Sequence, residues 1–237
     1  VKDYLLHNTF WRTLPLLQSL DPGLINDYLK QAIQEKEVMK FMLFIKKQLR
    51  HFSPTIRKQL SEILKLEITS YNLKKGIESY AQLEAQNIYT YQSVQALFNA
   101  PEEVLGATVL QINPSVKKIP STWNWEVKPG TAFNNRLPDT ESPTQVFLLP
   151  HYKNLVIEYW QHPQNVILNQ FIHQTSVREA IAQLQQFYLA QDKIFMDKFS
   201  QFVMAEQDYV LANLERVLLD RIKEYMGMGL LEMVNHA

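Results

Sequence analysis

The chain of 237 residues has no cysteine, 6 glycines, no net charge and no hydrophobic run approaching the ~18 residues of a membrane span. Lack of cysteine excludes disulfide frameworks, thiol catalysis, iron-sulfur clusters and cysteine-ligated zinc. Scarcity of glycine works against phosphate-cradling loops, nucleophile elbows and dinucleotide turns, which need positive φ or close backbone approach. Balance between 24 basic and 24 acidic residues argues against a general polyanion binder. No HExxH, GxSxG, GxxxxGK[ST] or GxGxxG pattern and no calcium-loop spacing occurs. From Val1 onward the basic, apolar and small-residue succession of a secretory leader is missing, and a chain starting after a removed leader would read identically. The expectation is a cytoplasmic globular protein, large enough to bury roughly 70% of its unfolded surface without a covalent staple.

What is abundant is amide and helical periodicity. Gln and Asn total 21 plus 14, or 35 residues. Neither glycine nor proline interrupts 24–53, 55–75, 77–100 or the 63 residues from Gln164 to Met226. Within them apolar residues recur three and four apart, as in Ile56, Leu60, Ile63 or Leu64, and Ile68. Start signals agree. Asp21-Pro22 and Ser53-Pro54 each pair an N-cap side chain with proline at the first helical position, and Ser176-Val177-Arg178-Glu179 spells a capping box. One helix over all 63 residues would be about 95 Å long, against roughly 45 Å for a domain of this size. Breaks are therefore expected at 173–175 and near 190–192, where polar Gln191 interrupts the stripe, as Glu206 does again further on.

The middle differs in kind. Asn113 to Pro150 holds six prolines in 38 residues, which no helix tolerates. Thr122-Trp123-Asn124-Trp125-Glu126-Val127 alternates ahead of Lys128-Pro129-Gly130-Thr131, which suits a type II turn, so a short hairpin is expected there. Val109 to Ile112 and Val146 to Leu149 read as flanking extended pieces. The whole segment reads as a strap that packs over helices or grips a partner through Trp123, Trp125 and Phe133. The architecture expected is thus mainly α: a multi-helix bundle with a helical lobe over 1–112, a proline-rich strap over 113–150 and long helices over 151–237.

Three groups of residues are candidates for function. Aromatic and Met-rich positions are those that anchor protein interfaces: the strap aromatics, and the glycine-broken end Tyr225-Met226-Gly227-Met228-Gly229-Leu230-Leu231, whose Met226, Met228, Leu230 and Leu231 call for a docking surface on this chain or another. A basic group, Lys46, Lys47 and Arg50 beside Phe41 to Ile45, belongs to a stretch from Lys30 to Lys75 with eleven basic and four acidic residues. It suits acidic lipid or a nucleic-acid backbone, but the solvated side of a core helix is the preferred reading, with peripheral membrane contact as the lesser alternative. Finally, His151, Glu158, His162 and His173 form a cluster after the strap. The histidines are spaced by 11 and would share one face of a continuous helix, but Pro163 interrupts it and Glu158 with His162 supplies only half a metal site, so no metal or cofactor is assigned. The acids Glu206, Asp208, Glu215, Asp220 and Glu224 pair naturally with Arg216, Arg221 and Lys223 on a solvated face.

Together these readings point to a non-enzymatic adaptor or scaffold subunit in a hetero-complex with other proteins, without nucleic acid. The amide-rich, glycine-poor composition fits a bacterial assembly such as a secretion apparatus. The alternative is an all-helical enzyme or metal-binding protein built on the His/Glu cluster.

Overall fold

The computed structural model describes residues 2–29, 37–77, 92–127, 131–151, 154–160, 164–191 and 203–234. Helices α1 (Lys2–Thr9), α2 (Thr13–Leu20), α3 (Pro22–Leu29) and α4 (Glu37–Gln48) lead through a 3-10 turn (Leu49–His51) into α5 (Pro54–Lys75). Residues 92–98 are also helical. Then come α6 (Glu102–Ala107), β1 (Val109–Ile112), β2 (Lys117–Ser121), β3 (Thr144–His151), β4 (Asn154–Trp160), α7 (Gln164–Asn169), β5 (Thr175–Ser176), α8 (Val177–Gln191), α9 (Met204–Gly227) and β6 (Leu231–Met233).

Helix dominates, but two three-stranded antiparallel sheets, ordered β5-β1-β6 and β2-β3-β4, make the fold mixed α/β and overturn the expected helical bundle. The reason is physical. In the first sheet the strands have two to four residues, too short to display alternation, and β1 finds β6 across more than a hundred residues, with Leu110 opposite Met233 and Ile112 opposite Leu231. Asn154–Trp160, expected to be helical, is a strand of branched and aromatic residues. The hairpin does not form where expected: 122–127 is irregular, and the turn residues 128–130 lie outside the described residues.

Local signals act as their chemistry dictates. Ser53 Oγ accepts from the Ile56 amide at 3.5 Å with Pro54 opening α5. Asp21 Oδ1 accepts from the Gly23 and Leu24 amides at 3.1 and 3.2 Å. Ser176 and Glu179 complete their capping box reciprocally: Glu179 N donates to Ser176 Oγ and Ser176 N to Glu179 Oε2, both at 3.2 Å. The chain does break at 170–176, between α7 and α8, while at the second expected break residues 190 and 191 are still helical in α8 and 192 lies outside the described residues. Glu206, read as a gap in the apolar stripe, accepts from the Val203 amide at 3.1 Å and so caps α9.

Internal contacts divide the chain into two units, the first comprising 1–78, 118–148 and 157–159 and the second 79–117, 149–156 and 160–237. In the first, Leu6, Phe10, Leu14, Leu17, Phe41, Ile45, Leu60 and Ile63 are fully buried, with the Phe10 and Phe41 rings 5.0 Å apart. In the second, β1 is the hub. Val177 N donates to Thr108 O and Val234 N to Val109 O, each at 3.0 Å. A Schellman turn ends α9, with Leu230 N donating to Tyr225 O and Gly229 N to Met226 O, both at 2.9 Å; Gly229 has φ +76, open to glycine at little cost. The turn sends Leu230 and Leu231 back against β1.

Candidate functional site

The sequence of α5 places two carboxylates differently. Its buried face runs through Gln59, Leu60, Ile63, Leu64 and Glu67, whereas Glu62 sits at the edge of that face. Both acids are consumed inside the first unit.

Glu62 holds the strap. Its Oε1 accepts from the Ser121 hydroxyl at 2.6 Å, the Trp125 indole N–H at 2.9 Å and the Trp123 amide at 3.2 Å, and its Oε2 accepts from the Thr122 amide at 2.8 Å. Burial pushes its pKa upward, but bonds from Ser121, Thr122, Trp125 and Trp123 together outweigh that and hold the carboxyl below its ordinary value. Further along, Gln59 Nε2 donates to the Pro138 carbonyl at 2.7 Å and Trp11 meets Phe133 edge-on, centroids 6.1 Å apart.

Glu67 does something else. Helix α2 begins at Thr13 without a side-chain cap of its own, so its first amides need an acceptor. Glu67 supplies it from α5: Oε1 accepts from Arg12 N at 2.8 Å, and Oε2 from the Thr13 hydroxyl at 2.6 Å and its amide at 3.4 Å. The guanidinium of Arg12 donates to the Trp125 carbonyl at 2.9 Å and lies 4.1 Å from the Trp11 ring centroid and 5.6 Å from that of Tyr159. Arg12 Nε is buried with no hydrogen-bond partner among the described residues. Burial lifts Glu67 to about 7 in spite of the Thr13 and Arg12 bonds and the Arg12 charge, and burial likewise raises Tyr159. Trp11, Arg12, Glu67, Ser70, Tyr71 and Lys74 line a cavity of about 420 Å³. A carboxyl that exchanges its proton near neutrality thus stands at the wall of a pocket.

Most residues singled out as partner-binding face inward. Trp123 and Trp125 are each 2% exposed and fasten the strap to its own unit; Met226, Leu230 and Leu231 are buried, with Leu231 opposite Ile112 of β1, and Phe133 and Met228 are half-buried. Lys46, Lys47 and Arg50 are exposed on α4 and the turn after it. The histidine cluster loses the continuous helix it required, because His151 and Glu158 lie on strands and His173 in an exposed bend, while His162 lies outside the described residues. Among the described residues no three histidine or carboxylate side chains are grouped to hold a metal, and no helix is long and apolar enough to cross a membrane.

In the second unit α6, α8 and α9 line a groove of about 550 Å³. Its apolar residues are Val177, Ile181, Tyr209, Ala212 and Leu219, and its charged ones Glu102, Glu103, Arg178, Glu215 and Arg216. Tyr209 is 72% exposed. Comparison with protein-family models, curated proteins and solved structures yields no match, so the chain's own residues carry the functional argument.

Charge counting misses Glu67 and the groove. For Glu67 a signal exists: it follows Ile63 by four and Leu64 by three, which puts an acid in the apolar stripe. The groove has none, because it joins helices far apart in sequence.

Two outcomes follow for the carboxylates. Glu62→Ala orphans the Thr122 and Trp123 amides and the Trp125 indole N–H, while the Ser121 hydroxyl keeps the Trp123 carbonyl at 2.6 Å, so the chain loses roughly 2–4 kcal/mol at pH 7 and tryptophan emission shifts to longer wavelength as Trp123 and Trp125 meet water; urea melts read by fluorescence check both, and an unshifted emission contradicts the anchoring role. Glu67 binds more protons folded than unfolded between its ordinary 4.5 and about 7. Its contribution is therefore complete below pH 4.5 and lost as pH rises through 7, on the order of 3 kcal/mol in all. Glu67→Gln keeps an acceptor for Arg12 N and a donor for Thr13 Oγ1 but cannot titrate, so the difference in unfolding free energy between the two proteins changes across pH 5–8. Parallel profiles contradict the assignment.

Proposed function

We propose that the chain is a non-enzymatic adaptor or scaffold subunit that docks another protein in the α6–α8–α9 groove of its second unit. One observation carries the reading: exposed Tyr209 and half-buried Leu219 stand over a floor of buried Val177 and Ile181, surrounded by both signs of charge. That is the anatomy of a protein-docking surface, in which an apolar centre supplies the driving force and a charged margin sets orientation. Tyr and Arg, both present here, are the residue types that dominate interface energetics. The occupant that fits is an amphipathic segment of a partner subunit, apolar toward Tyr209 and Leu219 and charged toward Glu102, Glu103 and Arg216.

A second reading, small-molecule binding, is favoured by the cavity beside Arg12 and Glu67, where a buried guanidinium nitrogen has no hydrogen-bond partner among the described residues.

Affinity purification of the tagged chain from its native host, with mass spectrometry of what accompanies it, separates the two. The adaptor reading expects partner proteins in stoichiometric amount, reduced at least tenfold by Tyr209→Ser with Arg216→Glu, both at exposed positions. Partners retained at full level by that variant contradict the groove. A solitary chain carrying a small molecule moves the function to the Arg12–Glu67 cavity.

A further inference from the structure

The excess of basic residues along α4 and α5 has a different meaning once side chains are placed. Of the acids that offset it in a sequence count, Glu67 is buried under α2 and half-buried Glu62 is spent on the strap. Every Lys and Arg between residues 38 and 77, by contrast, is exposed. The outward surface of this stretch is therefore rich in basic side chains.

That charge sits with apolar side chains in one arrangement. Met39, Leu43, Lys46, Lys47 and Arg50 follow at steps of four, three, one and three, within about 100° of helix circumference. Met39 is 45% and Leu43 61% exposed, large apolar groups left in water on a helix whose other face is buried through Val38, Phe41, Met42 and Ile45. Beside them a cavity of about 300 Å³ is lined by Met42, Leu49, Leu64 and Ile68 together with Lys46 and Lys65, apolar space with ammonium groups alongside.

We infer that this face of the first unit binds the surface of an anionic lipid bilayer. Basic side chains meet the headgroups while Met39 and Leu43 enter the boundary between headgroups and acyl chains, as interfacial helices do. The apolar pair favours lipid over nucleic acid, whose phosphate backbone gives Leu43 nothing to bury against. The surface belongs to a different unit from the docking groove and does not depend on it.

Co-sedimentation of the full chain with vesicles tests the inference, using phosphatidylcholine alone and phosphatidylcholine with phosphatidylserine. The expected result is binding only to the mixed vesicles, weakening as salt rises. Affinity falls at least tenfold in Lys46→Glu/Lys47→Glu/Arg50→Glu and severalfold in Leu43→Ser; all four positions are outside the core, and circular dichroism verifies folding. Equal binding to neutral vesicles, no binding to either, or unchanged binding of the triple variant overturns it. So does a duplex oligonucleotide that binds more tightly than the mixed vesicles with no dependence on Leu43, which would assign the patch to nucleic acid.

Discussion

Two carboxylates on one helix, turned inward, organise the first unit. Glu62 gathers the proline-rich strap and Glu67 caps α2. The strap has 122–127 without regular pairing and needs an acceptor for its amides and its indole N–H; α2 starts with amides that its own N-cap side chain does not cap. A buried backbone donor left unpaired costs about as much as a lost hydrogen bond, so placing acceptors on α5 allows irregular chain to be packed at all. The two acids differ because their surroundings do. Glu62 is half-buried and has enough donors to keep its charge; Glu67 is buried with fewer, and burial prevails.

The second unit is held by backbone pairing. Strand β1 takes β5 on one edge and β6 on the other, and the glycine turn after α9 is what allows β6 to arrive. The apolar C-terminal segment thus finds its docking surface on its own chain, through Asn113 N to Leu230 O at 2.9 Å and Asn113 Nδ2 to Gly229 O at 3.0 Å.

Local chemistry was legible in the sequence and long-range pairing was not. The caps at Ser53 and Ser176, the extended piece at Val109–Ile112 and the break before Ser176 follow from residues a few positions apart, where backbone and side chain compete directly. Strand β4 was missed because Asn154–Trp160, apolar and short, has no periodicity that separates strand from helix. The strap tryptophans were recognised as anchors but not what they anchor to, since Glu62 lies some sixty positions away. The groove and the basic face are surfaces rather than motifs. They become visible only when α6, α8 and α9 share a lining and when the acids of α5 are seen to point inward.

Inward acids leave outward bases, and on this the account of the first unit rests. Its most direct test is to follow every glutamate carboxyl of the folded protein by carbon-detected NMR from pH 3 to 9, assigning Glu62 and Glu67 by their Gln variants. The account predicts that Glu62 titrates below 4.5 and Glu67 near 7. If both titrate together near the ordinary value, the two carboxylates are solvated, and neither the strap nor α2 is held in the way described.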